Sequence, residues 1–287
     1  MKVVYSPRYE VALPGHIWPT SKYRLIADRL RSEPACTFVD PPVASWDNLA
    51  LVHTPEYLDK LRHHTLSPQE IATLELPWAP AFADAFRLMA GGTIAAAAAA
   101  LEDGAAAHLG GGLHHAFANH GEGFCPLNDV AVAVRSVPIR RAAIVDLDVH
   151  HGNGTAMIFE RDERVFTFSM HQQHNYPAFK PRSDLDVGLE DGVRDDRYLS
   201  LLVDALPAVM ASAPDLVVYL AGADPFEGDR LGGLRLTKAG LAERDRLVIA
   251  AARGAGVPIV TVLAGGYAAD VDDTVDIHVA TIRAMLP

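Results

Sequence analysis

The sequence predicts an α/β fold built on a central, mostly parallel sheet, and three observations carry that reading. Short apolar runs of the kind buried on both faces of a parallel sheet recur near 2–6, 106–110, 142–148, 164–170, 215–222 and 257–263. Between them lie helical patterns near 20–32, 55–64, 80–102, 196–212, 237–254 and 271–285, so strand and helix alternate as in β-α units rather than a sandwich. No charge block, Pro/Ser-rich linker or internal repeat marks a boundary, so residues 1–287 read as one domain.

The elements follow in order. Met1-Lys-Val-Val-Tyr-Ser reads as a first strand, because a signal peptide needs a basic tip and a longer apolar stretch before small residues. The Ala95–Ala100 run, flanked by Arg87 and Glu102, is built of the best helix former and predicts a helix packed closely on the sheet. Asp195 and Asp196 open the 196–212 helix as cap and dipole partners. With 49% hydrophobic and 21% charged residues the balance is globular, and no uninterrupted run reads as apolar enough to span a bilayer. Two cysteines, Cys36 and Cys125, supply no disulfide framework and fit a reducing, cytoplasmic setting. A net charge of −11 disfavours nucleic-acid binding and favours cationic partners such as lysine side chains or polyamines.

The chemistry sits at strand ends. In Ala142-Ala-Ile-Val-Asp-Leu-Asp-Val-His-His-Gly-Asn-Gly154 the period of two puts Asp146, Asp148 and His150 on one face. Asp148 and His150 offer a carboxylate oxygen and an imidazole nitrogen, a mix that suits zinc, while Asp146, one step deeper, is placed to orient. Gly110-Gly-Gly-Leu-His114-His115 adds a histidine pair behind a glycine run, and the strand ending at Asp224 adds a candidate third ligand. The run ending Ala264-Gly-Gly-Tyr267 delivers a tyrosine. Ligands of open parallel sheets bind at the carboxyl ends of strands, so four such ends point to one shared site.

These segments, together with Gly123-Phe-Cys-Pro-Leu-Asn-Asp129, Gly228-Asp-Arg-Leu-Gly-Gly-Leu-Arg-Leu-Thr237 and Val52-His-Thr-Pro-Glu-Tyr-Leu58, resemble the zinc-dependent histone deacetylase superfamily. Asn153, Ser169–Pro177 and Asp195–Leu199 are most similar to its class IV branch and bacterial relatives. The resemblance implies the three-layer αβα arginase/deacetylase fold and a catalytic domain that hydrolyses an acyl-amide on a lysine side chain. By that resemblance one zinc per chain is held by Asp148, His150 and Asp224; His115 is general base and acid, paired with Asn153 where many relatives use Asp. His114, paired with Asp146, is mainly electrostatic, and Tyr267 stabilises the oxyanion. Gly123, Phe124, Tyr176 and Leu231 match or approximate the acyl-lysine channel.

Asp146, Asp148, His150, Ser169 and Met170 fall where relatives bind structural potassium, largely through backbone oxygens, and Phe159, Asp162 and Val165 fall at a second such site. The expected partner is an acylated lysine peptide or protein, with an acylated polyamine or a non-catalytic acyl-lysine binding module as alternatives. Class IV similarity leaves acetyl and long fatty acyl groups both open. The two-metal ureohydrolase branch of the same fold is disfavoured, because Gly152 and Phe226 stand where that branch has metal-bridging aspartates.

Overall fold

Valine, isoleucine, leucine and alanine fill the strands, and this composition fits a sheet covered on both faces. The computed structural model describes residues 1–286, which form eight strands and ten α-helices. The strands are β1 (Lys2–Val4), β2 (Thr37–Val39), β3 (Ala105–His108), β4 (Ala142–Asp146), β5 (Val165–Gln172), β6 (Leu185–Leu189), β7 (Leu216–Leu220) and β8 (Ile259–Val262). They make one sheet in the order β2-β1-β3-β8-β7-β4-β5-β6, with every pair parallel. Every residue of β4, β7 and β8 is buried.

The helices are α1 (Lys22–Leu30), α2 (Trp46–Leu49), α3 (Pro55–His63), α4 (Pro68–Leu74), α5 (Pro80–Asp103), α6 (Asp129–Ser136), α7 (Asn153–Phe159), α8 (Asp195–Ala211), α9 (Lys238–Gly254) and α10 (Val271–Met285). α5 lies across β1, β3 and β8 and packs on α6, while α1, α10, α9 and α8 pack in series along the sheet. The result is the expected three-layer arrangement. The alanine-rich helix α5 does pack on the sheet. One 18-residue window in it has a mean hydropathy of 1.2, long and apolar enough by composition to cross a membrane, but 67% of that window is buried within the protein.

Two expectations need correction. The sheet has two more strands than the six predicted, β2 and β6, both at its edges. Three residues with an exposed first position, and Leu-Asp-Val-Gly-Leu with its alternating exposure, lack the continuous apolar signature of the central strands. The N-cap of α8 is Arg194 rather than an aspartate. Asp195 lies in the first turn and instead accepts Thr237 N at 2.9 Å and Thr237 Oγ1 at 2.7 Å, joining α8 to the start of α9.

Candidate active site

Strands β3, β8, β7 and β4 are consecutive in the sheet, and they are the four whose ends carry His114-His115, Tyr267, Asp224 and Asp148-Val-His150. Sheet order therefore gathers residues far apart in sequence into one pocket. Asp148, His150 and Asp224 are buried, with His150 Nδ1 3.0 Å from Asp148 Oδ1 and 3.4 Å from Asp224 Oδ2. Two donors about 2.1 Å from a tetrahedral zinc stand about 3.4 Å apart, so the spacing fits. The remaining carboxylate oxygens are taken: Asp148 Oδ2 accepts Gly265 N at 2.8 Å and Asp224 Oδ1 accepts Val149 N at 2.9 Å. Asp224 Oδ2 is buried and accepts no hydrogen bond from any described residue, as a ligand oxygen should be.

The electrostatics of these groups fit a cation-binding donor set. Burial and the neighbouring Asp148 push the Asp224 carboxyl up. Burial opposes ionisation of Asp148 as well, but the charges of His114 and His150 outweigh it and hold that carboxyl well below the usual range. Burial likewise opposes charge on His150, yet the two carboxylates push it up to about 10. Two buried carboxylates sharing one proton-hungry imidazole are the donor set a divalent cation satisfies. A side chain at Gly152 would collide with Asp146 Oδ2, so that position supplies no second bridging carboxylate.

The histidine pair stands beside these ligands. His114 Nδ1 lies 2.7 Å from Asp146 Oδ2, and the two Nε2 atoms of His114 and His115 are 3.1 Å apart. Burial disfavours charge on His114, but Asp146 and Asp148 outweigh it and push the ring up to about 9. Burial pushes His115 well below the usual histidine range, and the charges on His114 and His150 add to that. His115 Nδ1 meets Asn153 Oδ1 at 2.8 Å. Burial and the neighbouring charges thus push the two rings in opposite directions.

Tyr267, half-buried, faces both the inner cavity and the mouth. Burial, then the charges of Asp148 and Asp224, raise its phenol well above the ordinary value, so the group remains a donor. Gly123, Phe124, Tyr176 and Leu231 line the mouth with Glu75, His115, His150, Asn175 and Tyr267. Tyr176 stands edge-on to His115 at 4.9 Å between ring centroids. Gly123 has φ +52°, and a Cβ there would lie 2.8 Å from both His115 Cδ2 and Tyr176 Cε1. Asp148 and His150 also line an inner cavity of about 30 Å³, walled in part by Trp18, Tyr23, Leu113 and Ala264.

Ser169 and Met170 lie on β5 beside β4, where Ser169 pairs with Asp146 in register. Phe159, Asp162 and Val165 are not part of the pocket. They form the turn from α7 into β5, with Asp162 N on Phe159 O at 2.9 Å and Val165 N on Asp162 O at 2.9 Å.

Several supports went unassigned in the sequence, although most lie inside the quoted motifs. Asp129 accepts Leu113 N at 2.7 Å and Gly112 N at 3.1 Å, fixing the loop that carries the histidine pair. Asn128 ties Ala116 O to Thr155 Oγ1 through its amide, at 3.2 and 3.0 Å. Asp229 accepts Tyr267 N at 2.6 Å, Leu231 N at 2.8 Å and Gly232 N at 3.0 Å. Glu122 accepts Asn153 Nδ2 at 2.5 Å and the Tyr176 hydroxyl at 3.2 Å. Only the polar residues of Leu-Asn-Asp129 and Gly-Asp229 gave a signal; Glu122 gave none.

The histone deacetylase domain family matches residues 16–282. The chain belongs to the histone deacetylase family. Histone deacetylase 2 of Arabidopsis thaliana is 33% identical, covering 93% of this chain and 74% of the relative. An uncharacterized protein of Picosynechococcus sp. is 43% identical across 98% of this chain and 97% of its own length. A probable deacetylase of Methanothermobacter thermautotrophicus is 29% identical, covering 93% of this chain and 86% of the relative. The crystal structure of the HDA15 HD domain superposes with a TM-score of 0.81 at 26% identity, over 99% of this chain and 90% of that one. Membership of this histone deacetylase family supports deacetylase-type hydrolysis by this chain.

Proposed function

We propose that this histone deacetylase relative is a zinc-dependent hydrolase of acylated lysine side chains, with residues 1–287 acting as one catalytic domain. One observation carries the reading: Asp148 and His150, grouped with the buried Asp224 within ligand distance, line a pocket together with His114, His115 and Tyr267. Asp148, His150 and Asp224 would hold zinc, which supplies a Lewis acid for the amide carbonyl and acidifies a water. His115, kept neutral by burial, takes the proton from the attacking water and passes it to the departing lysine amine. His114, held cationic by Asp146, stabilises negative charge as it develops. Tyr267 donates to the tetrahedral oxyanion, a contribution of about 2.7–4 kcal/mol for a single such donor.

The aromatic walls Phe124 and Tyr176 suit the methylene stem of lysine, and the net charge of −11 favours a cationic peptide. The inner cavity, with about 30 Å³ free, suits a short acyl group better than a fatty chain. The class IV likeness rests on Asn153, Ser169–Pro177 and Asp195–Leu199, and Asn153 Oδ1 lies 2.8 Å from His115 Nδ1. Turnover of a matched panel of acyl-lysine peptides and acylpolyamines tests the substrate class: higher kcat/KM on acetyl-lysine peptide is expected. Preference for acetylpolyamine would redirect the reading, and binding without turnover would leave a recognition module.

A further inference from the structure

Outside the pocket, a second set of ligand-type side chains converges on a buried histidine. His151 follows His150 in the loop after β4 and is 1% exposed, yet neither ring nitrogen makes a hydrogen bond to any described residue. Buried polar atoms are rarely left so, because the water they give up is then not replaced by any partner. His171 of β5, 2% exposed, stands edge-on to His151 with centroids 4.6 Å apart. Asp186 of β6 brings Oδ1 to 3.3 Å from His151 Nε2. One donor atom from each of the three residues lies within 4.8 Å of the others.

We propose that His151, His171 and Asp186 form a second divalent-ion site that ties edge strand β6 to the loop carrying His150. Two imidazoles and one carboxylate select zinc, cobalt(II) or nickel(II) over calcium or magnesium. The 3.3 Å between His151 Nε2 and Asp186 Oδ1 matches the separation of about 3.4 Å expected for two donors on a tetrahedral ion. Neighbours orient the other two ligands: Ser169 Oγ lies 3.0 Å from His171 Nδ1, and Ser183 N donates to Asp186 Oδ2 at 2.9 Å. That leaves one nitrogen and one oxygen for the ion. The Asp186 side chain is 29% exposed, which gives an ion a route from solvent. The opposing charge of Lys180 is engaged by the carbonyls of Asn175 and Pro177 at 2.6 and 2.5 Å. The expectation of one zinc per chain rested on Asp148, His150 and Asp224, and this site would add a second ion.

Metal counting decides the matter. Chelator-stripped protein is dialysed against excess Co2+ or Zn2+ and bound metal is measured, with circular dichroism confirming the fold of each variant. Wild type is expected to bind two equivalents, and Asp186→Asn, His171→Gln and Asp224→Asn one each. Zinc should still raise the Tm of Asp224→Asn, and should no longer do so when Asp186→Asn is added. A wild type that binds one equivalent, removed by Asp186→Asn and retained by Asp224→Asn, would support this site and contradict zinc in the pocket. Equal metal content in wild type, Asp186→Asn and His171→Gln would overturn the proposal.

Discussion

Replacing Asn153 with aspartate looks like a simple way to place a carboxylate beside His115, but the structure argues otherwise. The Asn153 amide donates to Glu122 Oε1 at 2.5 Å while its carbonyl oxygen meets His115 Nδ1 at 2.8 Å. Asn153→Asp would set two carboxylates against each other at a position that is 1% exposed. Two like charges about 4 Å apart at an effective dielectric of ~20 repel by about 4 kcal/mol. That energy raises the second ionisation of the pair by roughly 3 pH units, so one carboxyl stays protonated close to neutrality. Asn153→Asp alone should therefore lose stability, and its gain in imidazolium stabilisation should be blunted.

The double variant Asn153→Asp, Glu122→Gln removes the repulsion. Its His115 then faces a full carboxylate, which favours the protonated ring, so the base is lost at a higher pH and the acidic limb of kcat/KM moves upward. The assay is urea unfolding plus a pH–rate profile for all four members of the cycle. A coupling energy of about 2–4 kcal/mol between the two positions is expected. Additive effects, with the acidic limb moving equally in single and double variants, would refute the Glu122 contact.

Three further expectations follow from the same geometry. Asp229→Asn weakens the acceptor shared by Tyr267 N, Leu231 N and Gly232 N, and should lower kcat about 10–100-fold with metal content unchanged; unchanged kcat would mean Tyr267 is positioned by other contacts. Burial pushes His53 down to about 4, so its neutral form is built into the fold: stability is complete above pH 6.5 and falls between pH 6.5 and 4, where only the unfolded chain takes the proton. The loss is about 3 kcal/mol by pH 4, and unfolding curves of His53→Gln should show a shallower acid decline than wild type, whereas parallel declines would reject it. With peptides acylated by two, eight and fourteen carbons, kcat/KM should be highest for acetyl; a climb with chain length would show that the 30 Å³ cavity opens further.

What was legible in the sequence depended on where the signal lies. The strands ending at Asp146, Leu220 and Val262 are continuous apolar runs that change abruptly into ligand chemistry, so both strand and site could be read. Edge strands β2 and β6 carry no such run. Helix α4 opens on the capping box Ser67-Pro-Gln-Glu70, a local signal that the helical reading passed over, whereas α7 is seven residues with an uncapped glycine at its start. Glu122 beside Asn153, and Asp186 beside His151, are contacts created by sheet order and loop path. No spacing rule carries them. His53 belonged to a quoted motif, yet only the fold places its ring between Phe117 O and Asn128 N, at 3.1 Å from each.

The central claim is that Asp148, His150 and Asp224 hold the zinc on which amide hydrolysis depends. The most direct test is turnover of an acetyl-lysine peptide by chelator-stripped protein as Zn2+ is added back, run in parallel on wild type and Asp224→Asn. The account predicts no turnover in the stripped protein, recovery in wild type as the pocket fills, and no recovery in Asp224→Asn. Full turnover by the metal-free protein, or recovery by Asp224→Asn to the wild-type rate, would contradict it.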